Sequence, residues 1–137
     1  MSKKKIKIAI AGATGYVGLD LIKFLSKHPM VKIKYLCAQK KIGKNIQLFN
    51  KKLPKKLPLI SNLKLVNWDS VDVLFCALPN GEAQILSKKL INKNLHIIDL
   101  SADFRLTNTF EYKKFYGKIH KAKKLINQSI YSVSEFT

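Results

Sequence analysis

At 137 residues, 47% of them hydrophobic and 25% charged, the chain is long enough and apolar enough for one domain with a real core, which excludes wholesale disorder. No uncharged apolar run approaches the roughly 20 residues that cross a bilayer, so no membrane partner is expected. The formal charge of +18 rests on twenty-five lysines and a single arginine, Arg105; a nucleic-acid reader would use arginine forks on bases and phosphates, so the lysines read as a solvated basic surface and no nucleic-acid partner is expected.

The first predicted element is a buried strand, Ile6 to Ala11, whose β-branched and small residues scarcely alternate, as in a central parallel strand covered on both faces. The start "MSKKKIKIAIAGA" imitates a secretory signal, but Lys7 interrupts its apolar core. Three glycines follow, then Val17, Leu21, Ile22 and Leu25 at helical spacing, expected to face inward. "SKHP" closes this helix, because Pro29 disfavours helical geometry at His28. "VKIKYLCA", Val31 to Ala38, supplies a second strand and completes a βαβ unit within about 30 residues.

No acidic residue occurs between Asp20 and Asp69, where "QKKIGKN" and "NKKLPKKLP" bring seven lysines and two prolines. This predicts a basic, loop-rich excursion with one short strand near Leu63 to Val66. "VDVLFCALP" reads as a buried strand ending at Pro79, "NGEAQILSKKLINKN" as a helix carrying Ala83, Leu86, Leu90 and Ile91 inward, and "LHIIDL" as the next strand. From Ser101 onward the chain is aromatic, polar and weakly periodic, and no element is assigned. The alternation predicts an α/β fold of the Rossmann type: doubly wound, with a mainly parallel sheet and helices on both faces.

Gly12, Gly15 and Gly18 stand three apart between the first strand and the first helix. Glycine bends the chain sharply, leaves room for a pyrophosphate and lets helix and strand pack closely, while the helix start offers free N–H groups and a positive dipole end. Gly12, Ala13, Thr14, Gly15, Tyr16 and Val17 are therefore candidate cofactor-binding residues. The spacing is GxxGxxG, and Ala13 stands where the commoner GxGxxG has its first glycine. An NAD site would tend to place a carboxylate about 20 residues after the glycines. Here "CAQKKIGK" offers Lys40 and Lys41, which attract a 2′-phosphate, so NADP(H) is the expected cofactor; plain surface charge is the alternative for the two lysines. Pro79 and Ser101, each following a strand end, are further candidate cofactor contacts. Cys37 and Cys76 lie in apolar strand-like runs without CxxC spacing or paired histidines, which argues for reduced, buried thiols in a cytoplasmic protein and against a metal site.

The stretches "GATGYVGLDLIKFLSKHPMVKI", "VLFCALPNGEA", "IIDLSADFRL" and "YKKFYGKIH" resemble, in order and spacing, the N-acetyl-γ-glutamyl-phosphate reductases of arginine biosynthesis, members of the aspartate-semialdehyde dehydrogenase superfamily. "DLSADFRL" is the most specific of them, and the resemblance covers nearly the whole chain. "YSVSEF" stands where the family has YGLPE, with Ser132 and Ser134 in place of glycine and proline. The resemblance implies an NADPH-dependent enzyme that takes a small-molecule γ-acyl phosphate to a semialdehyde. An active cysteine attacks the acyl phosphate, phosphate leaves, and hydride reduces the resulting thioester.

In that family the cysteine lies in a segment resembling NPGCY beyond YGLPE, with an assisting histidine further on. The resemblance therefore implies that residues 1–137 form an NAD(P)-binding domain of semialdehyde dehydrogenase type, truncated before the catalytic and dimerisation domain. It places no catalytic residue in this chain and implies a homo-oligomer for the full-length protein. Cys37 and Cys76 are poor substitutes, since burial in a strand keeps a thiol protonated. Arg105, in "SADFR" just beyond a strand end, is the candidate substrate-phosphate contact, because a guanidinium holds a phosphate through two parallel hydrogen bonds; alternatively it pairs with Asp99 or Asp103. His120 matches a family position and is read as structural or as a substrate contact. The competing functions are a related reductase of carrier-bound glutamyl or aminoadipyl phosphate or of aspartyl phosphate, and a non-catalytic NADP-binding or nucleic-acid-binding module.

Overall fold

Residues 4–101, 109–116, 120–126 and 128–130 are described by the structure, a computed structural model. The chain divides into two compact units, Met1–Ala77 with Lys93–Ile98, and Leu78–Asn92 with Asp99–Thr137.

The first unit is built on a five-stranded sheet: β1 (Ile6–Ala11), β2 (Val31–Cys37), β3 (Ile60–Ser61), β4 (Val73–Cys76) and β5 (His96–Asp99), whose last residue falls in the second unit. The spatial order is β3-β2-β1-β4-β5. β1 pairs in parallel with β2, from Ile6 opposite Val31 to Ala11 opposite Cys37, and with β4 on its other side, ending at Ala11 opposite Cys76. β2 and β3 are also parallel. Ile8, Ala9, Ile10 and Ala11 are fully buried, as a strand with neighbours on both edges and cover on both faces must be. A register shift between Ile8 and Ala9 marks an irregularity against β2. From β1 the chain runs outward through β2 to β3 and then returns to β4 on the opposite side. The strand order therefore reverses at β1.

Helix α1 (Tyr16–Leu25) buries Gly18 and Ile22, with Leu19, Leu21 and Leu25 packed partly against the core formed by Ile8, Ile10, Ile33 and Leu36. Val17, expected to face inward, is instead 52% exposed, in the first turn of the helix. The helix ends as read, with the N–H groups of Ser26, Lys27 and His28 bonded back to Ile22, Phe24 and Leu25 before Pro29. The excursion after β2 differs from expectation at its end. Leu63–Leu65 is a single 3₁₀ turn capped by the Asn62 side chain, and the short strand lies earlier, at Ile60–Ser61. Ile46, Leu53 and Ile60 anchor the excursion in the core. β4 stops at Cys76, short of the predicted Pro79.

The second unit contains α2 (Glu82–Leu90), α3 (Thr109–Tyr116) and α4 (Lys123–Ile126). α2 buries Ala83, Gln84, Ser87 and Leu90. Leu86 is only half-buried and Ile91 is exposed, so the predicted inward face is rotated. The buried place goes to Gln84, whose amide is satisfied there: its side-chain nitrogen donates to the Tyr112 hydroxyl at 3.1 Å and its oxygen accepts from the Lys121 N–H. Tyr112 in turn meets His120 edge-on, with ring centroids 4.8 Å apart. Helices α3 and α4 lie where no element was assigned; their short, weakly amphipathic sequences carry little periodic signal.

Candidate cofactor site

The turn after β1 sits at the carboxyl end of the central strand, where the strand order reverses; in open α/β sheets that is where ligands bind. Its three glycines have different physical demands. Gly12 has a φ of +81°, a left-handed conformation that side chains resist. Gly18 lies inside α1, and a Cβ there would come within 2.1 Å of the Gly12 carbonyl oxygen and 2.8 Å of Ala13 Cα. Gly15 is unlike both. Its backbone is extended (φ −79°, ψ 171°), and a Cβ would meet only the Gly12 oxygen, at an ordinary 3.7 Å. Nothing in the fold requires glycine at 15, and the space in front of it is open.

The backbone donors of the turn divide in the same way. The N–H groups of Gly12 and Ala13 both donate to the Cys37 carbonyl at 3.0 Å, and that of Gly15 to the Gly12 carbonyl at 3.3 Å. Of the six candidate residues, these three have their N–H groups engaged by the backbone, two by the end of β2 and one within the turn. Tyr16 and Val17 open α1, so no carbonyl four residues back within the helix can accept from them, and no side chain caps the helix start. No acidic residue stands in the first turn of α1, so its positive end is unneutralised. Tyr16 is 94% exposed and Thr14 half-buried beside it.

β2 delivers the two candidate lysines. Cys37, its last residue, holds the glycine turn through its carbonyl, and the chain then passes Lys40 and Lys41, both exposed. Lys41 has a φ of +62°, and its carbonyl accepts from the Lys44 N–H at 3.1 Å. Gly43, at φ +81°, donates to the Ile60 carbonyl at 2.7 Å. The lysine pair thus stands on a tight turn bonded to β3. The single left-handed residue other than glycine among those described falls here, as strained residues tend to at sites.

The buried Cys37 thiol is pushed up from 9.0 to about 12 by loss of solvent, which leaves it protonated and unreactive at neutral pH. Cys76 is also buried. In the second unit, exposed Pro79 accepts through its carbonyl from the Glu82 N–H at 3.1 Å, in the turn that starts α2 through left-handed Gly81. Ser101 donates from its N–H and its hydroxyl to the Asp99 carboxylate, both at 2.9 Å, a loop-organising role for Asp99 that the sequence reading did not assign. His120 is buried and accepts at Nδ1 from the Ala122 N–H, the geometry of a structural histidine. Gln84 carried no signal in the sequence beyond its place on α2. Arg105 and Asp103 lie outside the described residues. Among the described residues no group of three His, Cys, Asp or Glu side chains gathers to hold a metal, and no helix is long and apolar enough to cross a membrane.

Residues 7–137 match the family model of the semialdehyde dehydrogenase NAD-binding domain. N-acetyl-gamma-glutamyl-phosphate reductase of Rhodospirillum rubrum is 37% identical over 140 residues, covering 96% of this chain and 39% of the relative. The enzyme of that name from Ehrlichia ruminantium is 41% identical, over 96% of this chain and 38% of its own length. The chain thus spans well under half of the curated relatives it matches. Among solved structures, aspartate semialdehyde dehydrogenase with NADP from Candida albicans superimposes with a TM-score of 0.62 at 27% identity, covering 74% of this chain and 31% of that one. The chain belongs to the semialdehyde dehydrogenase NAD-binding domain family.

Proposed function

We propose that this chain is the NADP(H)-binding part of an N-acetyl-γ-glutamyl-phosphate reductase, which converts N-acetyl-γ-glutamyl phosphate to N-acetylglutamate semialdehyde in arginine biosynthesis. The observation that carries the cofactor assignment is the glycine turn at the carboxyl end of β1. It keeps open space at Gly15 that the fold itself does not need, in front of a helix start whose first N–H groups are unspent. A side chain would fill that cradle, and a pyrophosphate fits its chemistry. The substrate assignment rests on the names of the curated relatives.

In this reading the N–H groups of Tyr16 and Val17 and the Thr14 hydroxyl face the pyrophosphate. Gly12, Ala13 and Gly15 shape the turn that lets it approach. Lys40 and Lys41 neutralise a 2′-phosphate, which favours NADP(H) over NAD(H) because no carboxylate stands there to repel it. Pro79 and Ser101 are kept as cofactor contacts, and Arg105 as the contact for the substrate phosphate. When bound, NADPH would supply the reducing equivalent. The buried thiols suit a reducing compartment, the cytoplasm. The partners are a small-molecule acyl phosphate and further copies of the same protein; nucleic acid is not among them.

Titration of NADPH fluorescence tests the cofactor assignment. The chain should bind NADPH, and Gly15→Val should lose binding by about a hundredfold or more while keeping its circular dichroism spectrum, since a Cβ at this position meets nothing nearer than the Gly12 oxygen at 3.7 Å. Unchanged affinity in that variant would sink the assignment.

A further inference from the structure

The eight acidic residues of the chain all lie outside the stretch between Asp20 and Asp69, which contains twelve lysines. Solubility accounts for a high total charge, but not for this sorting. Within the stretch, the excursion from β2 to β3 carries Lys40, Lys41, Lys44, Lys51, Lys52, Lys55 and Lys56, and every one of them is exposed. The backbone that presents them is held firmly. Gly43 and Lys44 pair with Ile60, Ala38 donates to Ser61, the Gln47 side chain bonds the Pro54 carbonyl, and Ile46 and Leu53 are sunk in the core. The one ion pair among the described residues joins Lys93 to Asp69, so no described carboxylate pairs with these seven ammonium groups.

The excursion leaves the sheet at Cys37, whose carbonyl holds Gly12 and Ala13. Because β1 and β2 are parallel and end side by side, with Ala11 opposite Cys37, and β3 meets β2 at Leu36 and Cys37, the excursion both leaves and rejoins the sheet at its carboxyl end, where the glycine turn lies. Lys4, Lys5, Lys27 and Lys32, equally exposed, lie at the opposite end, where β1 and β2 begin. Lysine suits attraction at a distance: it is a hydrated point charge on a flexible stem that draws an anion without fixing its geometry.

We propose that the basic excursion is a capture surface for polyanionic cofactor: Lys51, Lys52, Lys55 and Lys56 speed the arrival of NADPH at the glycine turn without contacting it once bound. This rests on the cofactor reading above and adds a kinetic source of selectivity to it. The 2′-phosphate gives NADPH about two more negative charges than NADH, so the same field accelerates NADPH more.

Stopped-flow association of NADPH and NADH with the 137-residue chain tests this. The variant carries Lys51→Gln, Lys52→Gln, Lys55→Gln and Lys56→Gln. The matched control carries Lys4→Gln, Lys5→Gln, Lys27→Gln and Lys32→Gln, which removes the same charge from the far end of the sheet. At an ionic strength of about 10 mM, where the Debye length is about 30 Å, the NADPH association rate constant should fall about tenfold in the variant and about twofold in the control. The fall for NADH should be smaller, dissociation rates should stay unchanged, and the differences should vanish at about 0.5 M salt. Equal slowing in variant and control, or a loss that appears in dissociation, overturns the proposal. Absence of NADPH binding by the unsubstituted chain overturns the cofactor reading itself, and this proposal with it.

Discussion

A Cβ placed on Gly18 would sit 2.1 Å from the Gly12 carbonyl oxygen, whereas one on Gly15 would meet nothing nearer than 3.7 Å. The two glycines are interchangeable in the sequence pattern, and only the path of the backbone at Gly12 tells them apart. Gly18→Ala forces α1 away from the turn it packs on, so the chain should lose about 2–3 kcal/mol in urea unfolding. Gly15→Ala should change stability by less than about 0.5 kcal/mol. Equal stability loss in both would mean that the close approach of α1 is not what glycine at 18 secures. Cys37 gives a second test at this scale. Its thiol titrates near 9.0 when solvated and at about 12 when buried, so the folded chain keeps a proton that the unfolded chain releases. The stability this contributes is complete below pH 9 and is lost as pH rises toward 12. Cys37→Ala removes that term, so between pH 9 and 10.5 its stability should fall less steeply than the parent's, by up to about 1.4 kcal/mol per pH unit. Parallel curves would show that the thiol is not shielded.

β1, α1 and β2 were legible because their signals are local: a continuous apolar run, glycines and a proline as punctuation, and apolar residues at helical spacing. β3 was not, because it is two residues long and its place is set by bonds from Ala38 and Gly43, more than fifteen residues away in the chain. The rotation of α2 was hidden for a similar reason, since the partners that draw Gln84 inward are Tyr112 and Lys121. At the site, the glycine turn and the lysine pair could be placed from sequence, but the left-handed backbone at Lys41 could not, because lysine gives no hint of a positive φ. That conformation costs a residue with a Cβ about 1–2 kcal/mol. Lys41→Gly should therefore stabilise the chain by about 1 kcal/mol in urea unfolding while weakening NADPH binding. Reversing both charges, Lys40→Glu with Lys41→Glu, should weaken NADPH at least tenfold more than NADH if the pair reads a 2′-phosphate. Equal weakening of the two cofactors would reduce the pair to general attraction.

For the molecule as a whole, the decisive question is what chemistry its own side chains can carry. Reduction of an acyl phosphate by the route the family resemblance implies needs a thiolate within reach of substrate and a group to move a proton. The chain has two cysteines, and both are buried in strands of the sheet. Cys37 is held protonated by that burial and its carbonyl already organises the glycine turn, so exposing its thiol would dismantle the turn it supports. His120, the histidine nearest to a family position, is buried and tied to the Ala122 N–H. The relatives that bear the reductase name are more than twice as long, and this chain covers 39% of the Rhodospirillum rubrum enzyme. The 137-residue chain alone should therefore bind NADPH and show no turnover. The reverse reaction, phosphate-dependent reduction of NADP with N-acetylglutamate semialdehyde, gives a sensitive assay, run on the chain and on a Cys37→Ser, Cys76→Ser double variant. No activity in either is the expected result. Robust turnover that disappears in the double variant would show that one of these thiols leaves the sheet to act as nucleophile, and would overturn the division between a cofactor-holding chain and a catalytic centre supplied elsewhere.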